Sequence, residues 1–295
     1  MTRAVVFAYH TIGARCLGVL LEYGIEVPLV VTHRDDPKEN IWFESVADLA
    51  RTHHIPLITP DDPNDLATVE TIRELNPEFL FSFYYRHMLG AGLLALPSRG
   101  AYNLHGSLLP KFRGRVPINW AVILGETETG ATLHAMTVKP DQGAIVAQER
   151  VSIGPDDTAF DVFQQVANAG VKALKYALGP LIAGQALHRA QNLAAGSYYR
   201  GRRPEEGRID WRQPARTIHN LVRGVAPPYP GAFTILEGQT ARILRTSLQE
   251  NHNAIARTTG GDGEPLYILK MELGGQPLDA LTFQRRFPHG VHPQD

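Results

Sequence analysis

The sequence of 295 residues has only one cysteine, Cys16, almost no net charge and no long apolar run. A single cysteine excludes an intrachain disulfide and fits a reducing compartment. The formal net charge of -1 argues against a strong electrostatic attraction to nucleic acid. The apolar run near the first residue is too short for a signal peptide, and no stretch approaches the roughly 18 apolar residues of a membrane span. We therefore expect a soluble cytoplasmic protein without membrane insertion and without a nucleic-acid partner.

The sequence also lacks several common catalytic and binding motifs. It contains no P-loop, no C-x-x-C and no G-x-S-x-G. The segment GAGLLA at 90–95 does not directly follow a predicted strand, so it does not indicate a dinucleotide site. The twelve histidines are scattered, without carboxylate or cysteine at metal-ligand spacing. We expect no metal site.

What the first half does contain is a regular alternation of short apolar runs and helix-length segments. The runs 4–9, 25–31, 55–58, 79–83 and 99–104 read as strands, and 13–23, 43–53 and 65–75 read as helices between them. This alternation predicts an α/β fold with a Rossmann-like parallel sheet and helices on both faces. Ligands of such sheets bind beyond the carboxyl ends of the strands.

The texture of the sequence changes after a predicted long helix at 157–183. Residues 196–214 are rich in Gly, Arg, Pro and Tyr, which is typical of a linker. Short β-prone runs follow, and they predict a small β-rich, barrel-like C-terminal domain. We therefore expect a catalytic domain over 1–190 and a second domain over 205–290.

Asn103 and His105 end one of the predicted strands. Residues two apart on a strand point to the same side, so the amide and the imidazole face one point. An amide N–H and a histidine suit a carbonyl oxygen that gains negative charge during attack, and a histidine also moves protons near neutral pH. From spacing alone, a pair that only satisfies backbone groups remains the alternative.

The loop SLLPKFRGRVP at 107–117 follows this pair. Its three basic residues, Lys111, Arg113 and Arg115, could meet an anionic ligand, although the loop taken by itself favours a solvated basic surface. Further on, Asp141 lies in a Pro-Asp-x-Gly turn, where an aspartate usually caps its own backbone. A functional role for Asp141 requires contact with His105, which sequence spacing does not establish.

Taken together, three segments resemble the folate-dependent formyltransferase family. They are NLHGSLLPKFRGRVP, GETETGATLH and DQGAIVAQ. The family includes methionyl-tRNA, glycinamide ribonucleotide and sugar N-formyltransferases. The combined motif is highly specific, and the resemblance implies transfer of a formyl group from N10-formyltetrahydrofolate as co-substrate.

Within the family, the sequence is most similar to the UDP-4-amino-4-deoxy-L-arabinose formyltransferase domain of bifunctional polymyxin-resistance enzymes. VVFAYH, FSFYYRH and NLVRGVAPPYPGAF carry this likeness, which fades after about residue 235. It implies a UDP-linked amino sugar as the acceptor and a role in lipid A modification. The chain has no counterpart of the dehydrogenase domain of those enzymes, so we expect a stand-alone transferase, compatible with a homodimer.

The resemblance also implies roles for individual residues. Asn103 and His105 would stabilise the oxyanion, His105 would handle the proton, and Asp141 would favour the protonated form of His105. The residues that match the family's folate site are His87, Met88, Leu89, Arg115, Thr137, Val138, Lys139, Pro140 and Asp141.

Three alternatives remain open at this point. One is methionyl-tRNA formylation, which would favour a basic surface. Another is an acceptor linked to a different nucleotide. A third, a binding protein without catalysis, fits poorly with the complete Asn-His-Asp set.

Overall fold

The structure is a computed structural model that describes residues 2–288. Its backbone divides into two compact units. The first comprises residues 1–114, 129–151 and 164–199, and the second comprises 115–128, 152–163 and 200–295. The boundaries predicted from composition stay a prediction, and residues 289 and 290 of the predicted second domain lie outside the described residues.

The strands up to residue 199 build a seven-stranded sheet and a short two-stranded ribbon. In chain order they are Arg3–Ala8 (β1), Glu26–Val31 (β2), Leu57–Ile58 (β3), Phe79–Phe83 (β4), Ala101–His105 (β5), Arg113–Gly114 (β6), Glu128–Ala135 (β7), Ile145–Ser152 (β8) and Tyr198–Tyr199 (β9). The large sheet has the order β3-β2-β1-β4-β5-β7-β8, and β6 pairs with β9. Strands β1 to β5 run parallel, so their carboxyl ends share one edge.

Six helices occur in the same part of the chain. They are His10–Glu22 (α1), Val46–Thr52 (α2), Leu66–Glu74 (α3), Ala91–Leu94 (α4), Pro117–Ile123 (α5) and Ala159–Ala183 (α6). Side-chain caps fix two of their starts, because Ser45 accepts from the Asp48 N–H and Asp65 accepts from the Thr68 N–H. Proline occupies the first position of α5, where its missing N–H has no helical partner anyway.

The large sheet is covered by helices on both faces. On one face Val5, Phe7 and Leu80 pack against Ile72 of α3 and Leu93 of α4. On the other, Gly170 of α6 lies so close to Leu104 that an added Cβ would approach its Cδ2 to 2.7 Å. Residues at odd positions of β5 therefore belong to the first face and those at even positions to the second.

The second unit is built around an antiparallel sheet and one amphipathic helix. Helix α5 belongs to this unit, and after residue 200 follow the helices Ala215–Val225 (α7) and Ala280–Arg286 (α8). The strands of the unit are Ala232–Leu236 (β10), Gln239–Ser247 (β11), Ala256–Thr259 (β12), Pro265–Leu273 (β13) and Gln276–Pro277 (β14). The sheet order is β10-β11-β13-β12, with β14 on β13. Ile218 and Val222 of α7 pack with Ile243, Ile268 and Met271 in the core.

The predicted fold class is confirmed, with one difference in the sheet. Strand β7 pairs antiparallel with β5, so the sheet is parallel only over its first five strands. A hydrophobic pattern shows that a strand is buried but does not show its direction, and the antiparallel β7 went unpredicted for that reason. Within residues 2–288, the structure has no helix with both the length and the apolar character needed to cross a membrane.

Candidate active site

Asn103 and His105 lie at the carboxyl end of β5, on the same side of the strand. His105 is buried and Asn103 is half-buried. In the pairing of β5 with β7, His134 lies directly opposite Asn103, and Thr132 lies opposite His105. The sheet itself therefore gathers two histidines and an amide at one place.

The loop after β5 fixes the ring of His105. Nε2 of His105 lies 2.8 Å from the carbonyl oxygen of Phe112. Because a carbonyl oxygen only accepts, Nε2 carries the proton and donates it. The hydroxyl of Ser107 donates to the carbonyl of Lys111 at 2.7 Å and holds the loop in shape. The second ring nitrogen, Nδ1, faces Asp141 at 3.6 Å from Oδ1.

Asp141 brings one carboxylate to both histidines. Its Oδ1 lies 3.6 Å from Nδ1 of His105 and 3.5 Å from Nε2 of His134, and its Oδ2 accepts the Gly114 N–H at 2.8 Å. The backbone of Asp141 is left-handed, with φ of 55°, which an aspartate tolerates in a turn. Contact between Asp141 and His105, which spacing alone left open, is present.

His134 is the residue that motif reasoning missed. Its Nδ1 lies 2.8 Å from the carbonyl of Ala135 and so carries a proton. Nε2 of the neutral ring is then an acceptor, and Nδ2 of Asn103 lies 3.1 Å from it. His134 falls inside the segment GETETGATLH, but a histidine in a buried strand also reads as a core residue. Only the strand register shows that it faces Asn103.

The electrostatics of the site favour an ionised Asp141. Burial raises the pKa of this carboxyl, but the neighbouring His105 and the Gly114 N–H lower it well below its usual range. The carboxylate is thus held as an anion between two imidazoles.

Residues 189–199, which we call the return segment, secure the loops around these side chains. Nε2 of Gln191 donates to the carbonyls of Asp141 at 3.0 Å and Gly143 at 2.6 Å. The hydroxyl of Ser197 accepts the Phe112 N–H at 2.9 Å. The carbonyl of Tyr199 lies so close to Gly114 that an added Cβ would approach it to 2.1 Å, so only glycine fits there. The return segment therefore supports both loops that carry Asp141 and Phe112.

The predicted folate residues after β4 lie at the same sheet edge as His105, because β4 and β5 are parallel neighbours. His87 and Met88 are exposed, whereas Leu89 is buried in the core. The carbonyl of Met88 accepts from Nδ2 of Asn64 at 3.0 Å, and Oδ1 of Asn64 accepts the Gly90 N–H. Asn64 thus fixes the backbone of the segment.

The remaining predicted folate residues fall in two places. Thr137, Val138 and Lys139 are exposed on the loop that leads into Asp141, and the Thr137 hydroxyl donates to the Lys139 carbonyl. This loop starts at Met136, which packs against the core cluster that contains Leu89. Arg115 belongs to the second unit, is exposed, and its side chain lies beside Gly201. The role of each of these residues stays a prediction.

The arrangement gathers two N–H donors and one anion, and the N–H of His105 is engaged by the Phe112 carbonyl. Asn103 has an amide hydrogen beyond the one directed at His134, and His105 has an N–H at Nε2. Such donors suit an oxygen that becomes negative in a tetrahedral intermediate.

Comparison with solved structures finds the same fold in several N-formyltransferases. An N-formyltransferase from Helicobacter canadensis, in complex with folinic acid and dTDP-3-aminofucose, is 20% identical with a TM-score of 0.73, over 94% of this chain and 100% of the other. WlaRD, a sugar 3N-formyltransferase in the presence of dTDP and 5-N-formyl-THF, is 19% identical with a TM-score of 0.72, over 94% and 98%. A sugar N-formyltransferase from a Shewanella species is 17% identical with a TM-score of 0.66, over 82% and 96%. At these identities the likeness establishes the fold.

Comparison with protein families identifies the family to which the chain belongs. Residues 11–178 match the formyl transferase family, and residues 202–285 match the formyl transferase C-terminal domain. The first match includes Asn103, His105, His134 and Asp141. The chain belongs to the formyl transferase family.

Proposed function

We propose that this protein transfers the formyl group of N10-formyltetrahydrofolate to the amino group of a nucleotide-linked amino sugar. The observation that carries the proposal is the meeting of Asn103, His105 and Asp141 in a member of the formyl transferase family. Solved relatives with this fold hold a reduced folate together with dTDP or a dTDP-linked amino sugar, which supports both substrate classes.

In the proposed reaction the neutral amine of the sugar attacks the formyl carbon, and the carbonyl electrons move to oxygen. The side-chain amide of Asn103 donates a hydrogen bond to this oxyanion. His105 is its second partner, through the Nε2–H that donates here to the Phe112 carbonyl. The carbon–N10 bond then breaks, the amine nitrogen loses one proton, and N10 of the folate gains one.

Asp141 acts through His105. An ionised carboxylate at 3.6 Å from Nδ1 stabilises the imidazolium that forms when the ring takes the proton of the attacking amine. The same ring can then deliver a proton to N10. Asp141 is a positioning and electrostatic residue in this scheme, whereas Asn103 and His105 contact the reacting atoms.

The formyl donor would lie along the segments 87–89 and 137–141 of the first unit. The first follows the carboxyl end of β4, and the second follows β7 and reaches His105 at Asp141. Both carry exposed residues next to residues anchored in the core. A pteridine ring presents several donors and acceptors on one edge, and peptide groups in an irregular segment can match them.

For the acceptor we propose UDP-4-amino-4-deoxy-L-arabinose, from the resemblance of VVFAYH, FSFYYRH and NLVRGVAPPYPGAF. Formyl transfer should be measured from N10-formyltetrahydrofolate to this sugar nucleotide, to dTDP-linked amino sugars and to methionyl-tRNA. Transfer to the UDP-sugar alone supports the full proposal. Transfer to another sugar nucleotide retains the chemistry and changes the acceptor. Transfer to tRNA alone would refute a sugar-nucleotide acceptor.

A further inference from the structure

A second feature at the carboxyl edge of the sheet is a cavity of about 610 Å³ in the first unit. It opens where β1, β2 and β3 end, and helix α2 forms its far wall. Cavities of 300–1,000 Å³ are typical of small-molecule sites, and open α/β sheets bind ligands at this edge. None of Asn103, His105 and Asp141 lines this cavity.

Two aromatic rings give the cavity an apolar side. Tyr9 follows β1, and Phe43 lies on the loop before α2. Their ring centroids are 5.2 Å apart in an edge-to-face arrangement. His10 stacks on Phe43 with centroids 3.9 Å apart, so one face of the Phe43 ring is covered while the ring still lines the cavity. A planar nucleobase can stack on such an aromatic surface, and this stacking does not depend on which base it is.

Polar groups also line the cavity. The hydroxyl of Tyr9 donates to Oδ1 of Asp35 at 2.7 Å and fixes the direction of this carboxylate. Asp35 is exposed and follows β2 by four residues. Arg34 also lines the cavity, and its Nε donates to the Thr59 hydroxyl at 3.1 Å. An acidic side chain just after the second strand is placed to accept hydrogen bonds from the hydroxyls of a ribose, as in other α/β nucleotide sites.

The cavity also lies at a suitable distance from the reacting groups. Strand β1 is separated from β5 by β4 alone. With strands about 4.8 Å apart, the end of β1 is roughly 10 Å from the end of β5. A nucleoside in the cavity can therefore be joined through a diphosphate to a sugar whose amine reaches His105.

We propose that this cavity binds the nucleoside of the acceptor, with the base on Phe43 and the ribose diol on Asp35. The assignment rests on the proposed function and extends it, since it specifies a ribonucleotide rather than a deoxyribonucleotide. A 2′-hydroxyl hydrogen-bonded to a carboxylate is lost in a deoxyribonucleotide, which leaves the carboxylate one partner short.

The test is calorimetric titration of the full chain with UDP and with dUDP. The protein should bind UDP about tenfold more tightly than dUDP. Asp35→Asn should weaken UDP binding about tenfold and dUDP binding less, because dUDP keeps only the 3′-hydroxyl as a partner of Asp35, and the preference for UDP should therefore shrink. The matched control is Asp36→Asn, because Asp36 is a neighbouring exposed aspartate whose side chain accepts the Lys38 N–H and does not line the cavity. It should leave both affinities unchanged.

Phe43→Leu should weaken UDP and dUDP equally, by at least fivefold, because it removes the stacking surface. A melting curve for each variant separates loss of binding from loss of folding. Equal UDP affinity in the wild type and in Asp35→Asn overturns the assignment, and so does the absence of UDP binding at millimolar concentration. If UDP binding depends on Asp35 but no sugar nucleotide is formylated, the cavity assignment stands and the proposed function is wrong. If formyl transfer occurs and Asp35→Asn leaves the KM of the acceptor unchanged, the proposed function stands and the cavity assignment is wrong.

Discussion

Nε2 of His134 lies 3.1 Å from Nδ2 of Asn103, on the residue directly opposite it in the β5–β7 pair. Because Nδ1 of His134 is committed as a donor to the Ala135 carbonyl, this contact orients the amide of Asn103. It directs one amide hydrogen to the histidine and leaves the other for a substrate oxygen. In the proposed reaction His134 would position Asn103, and its effect should appear in the rate of the chemical step.

We expect His134→Ala to lower kcat by about tenfold while the KM values of both substrates change little, because a hydrogen bond that orients the donor is lost. His134→Gln should recover part of the rate, since its side-chain oxygen can accept from Asn103. Steady-state kinetics of both variants decide the matter. Equal rates for the Ala variant and the wild type would show that Asn103 needs no support from His134.

Asn103→Ala and His105→Ala should each lower kcat by roughly 100-fold or more, because removal of one oxyanion donor costs on the order of 2.7–4 kcal/mol in the barrier. Circular dichroism should show an unchanged fold. Turnover within a few-fold of the wild type would remove that residue from the mechanism.

Asp141→Asn should change the dependence of stability on acid. Since the pKa of Asp141 is lowered in the folded protein, its charge stabilises the fold above the unfolded pKa of about 3.9, and this contribution is lost as the pH falls through the lower folded value. The difference in free energy of unfolding between wild type and variant should be constant above about pH 5 and shrink below about pH 4. Denaturant titrations across this range measure it, and a difference independent of pH would contradict the assignment of charge.

The pH–rate profile of Asp141→Asn should shift as well, because His105 loses its anionic neighbour.

Gly143→Ala should distort the turn that holds Asp141. An added Cβ at Gly143 would lie 1.7 Å from the Ala135 carbonyl oxygen, so the backbone has to move. We expect a loss of about 2 kcal/mol or more in stability, together with reduced kcat. The control is Gly18→Ala in α1, where an added Cβ meets nothing within 4 Å, and which should stabilise the protein by roughly 0.5–1 kcal/mol. Thermal melts of both variants provide the comparison, and similar effects at the two glycines would argue against a tight turn.

Much of the fold could be predicted from local sequence patterns, because a strand buried in a sheet is a short run of apolar residues. Strand β4 is buried along its whole length, and its bounds were predicted without error from the run FLFSF. Strand β3 has only two residues, and the predicted strand at 55–58 was longer because apolar residues continue beyond its hydrogen bonds. The direction of β7 required knowledge of its partner.

The candidate site also has a part that could be predicted from the sequence and a part that could not. Asn103 and His105 are neighbours on one strand, so spacing was enough to place them together. His134 and Gln191 join them only through tertiary contacts, across 31 residues to Asn103 and 50 residues to Asp141. No periodicity connects such positions, and their contribution was visible only after the chain had folded.

The return segment has a consequence for how the enzyme can be shortened. The family match of the first domain ends at residue 178, before the hydrogen bonds from Gln191 and Ser197 are made. A fragment cut at that border would keep Asn103, His105 and Asp141 and yet lose the supports of the loops that carry Asp141 and Phe112. During synthesis, the nascent chain must extend past residue 199 before the return segment can bind these loops. The candidate site is therefore completed late, although Asn103, His105 and Asp141 are synthesised earlier.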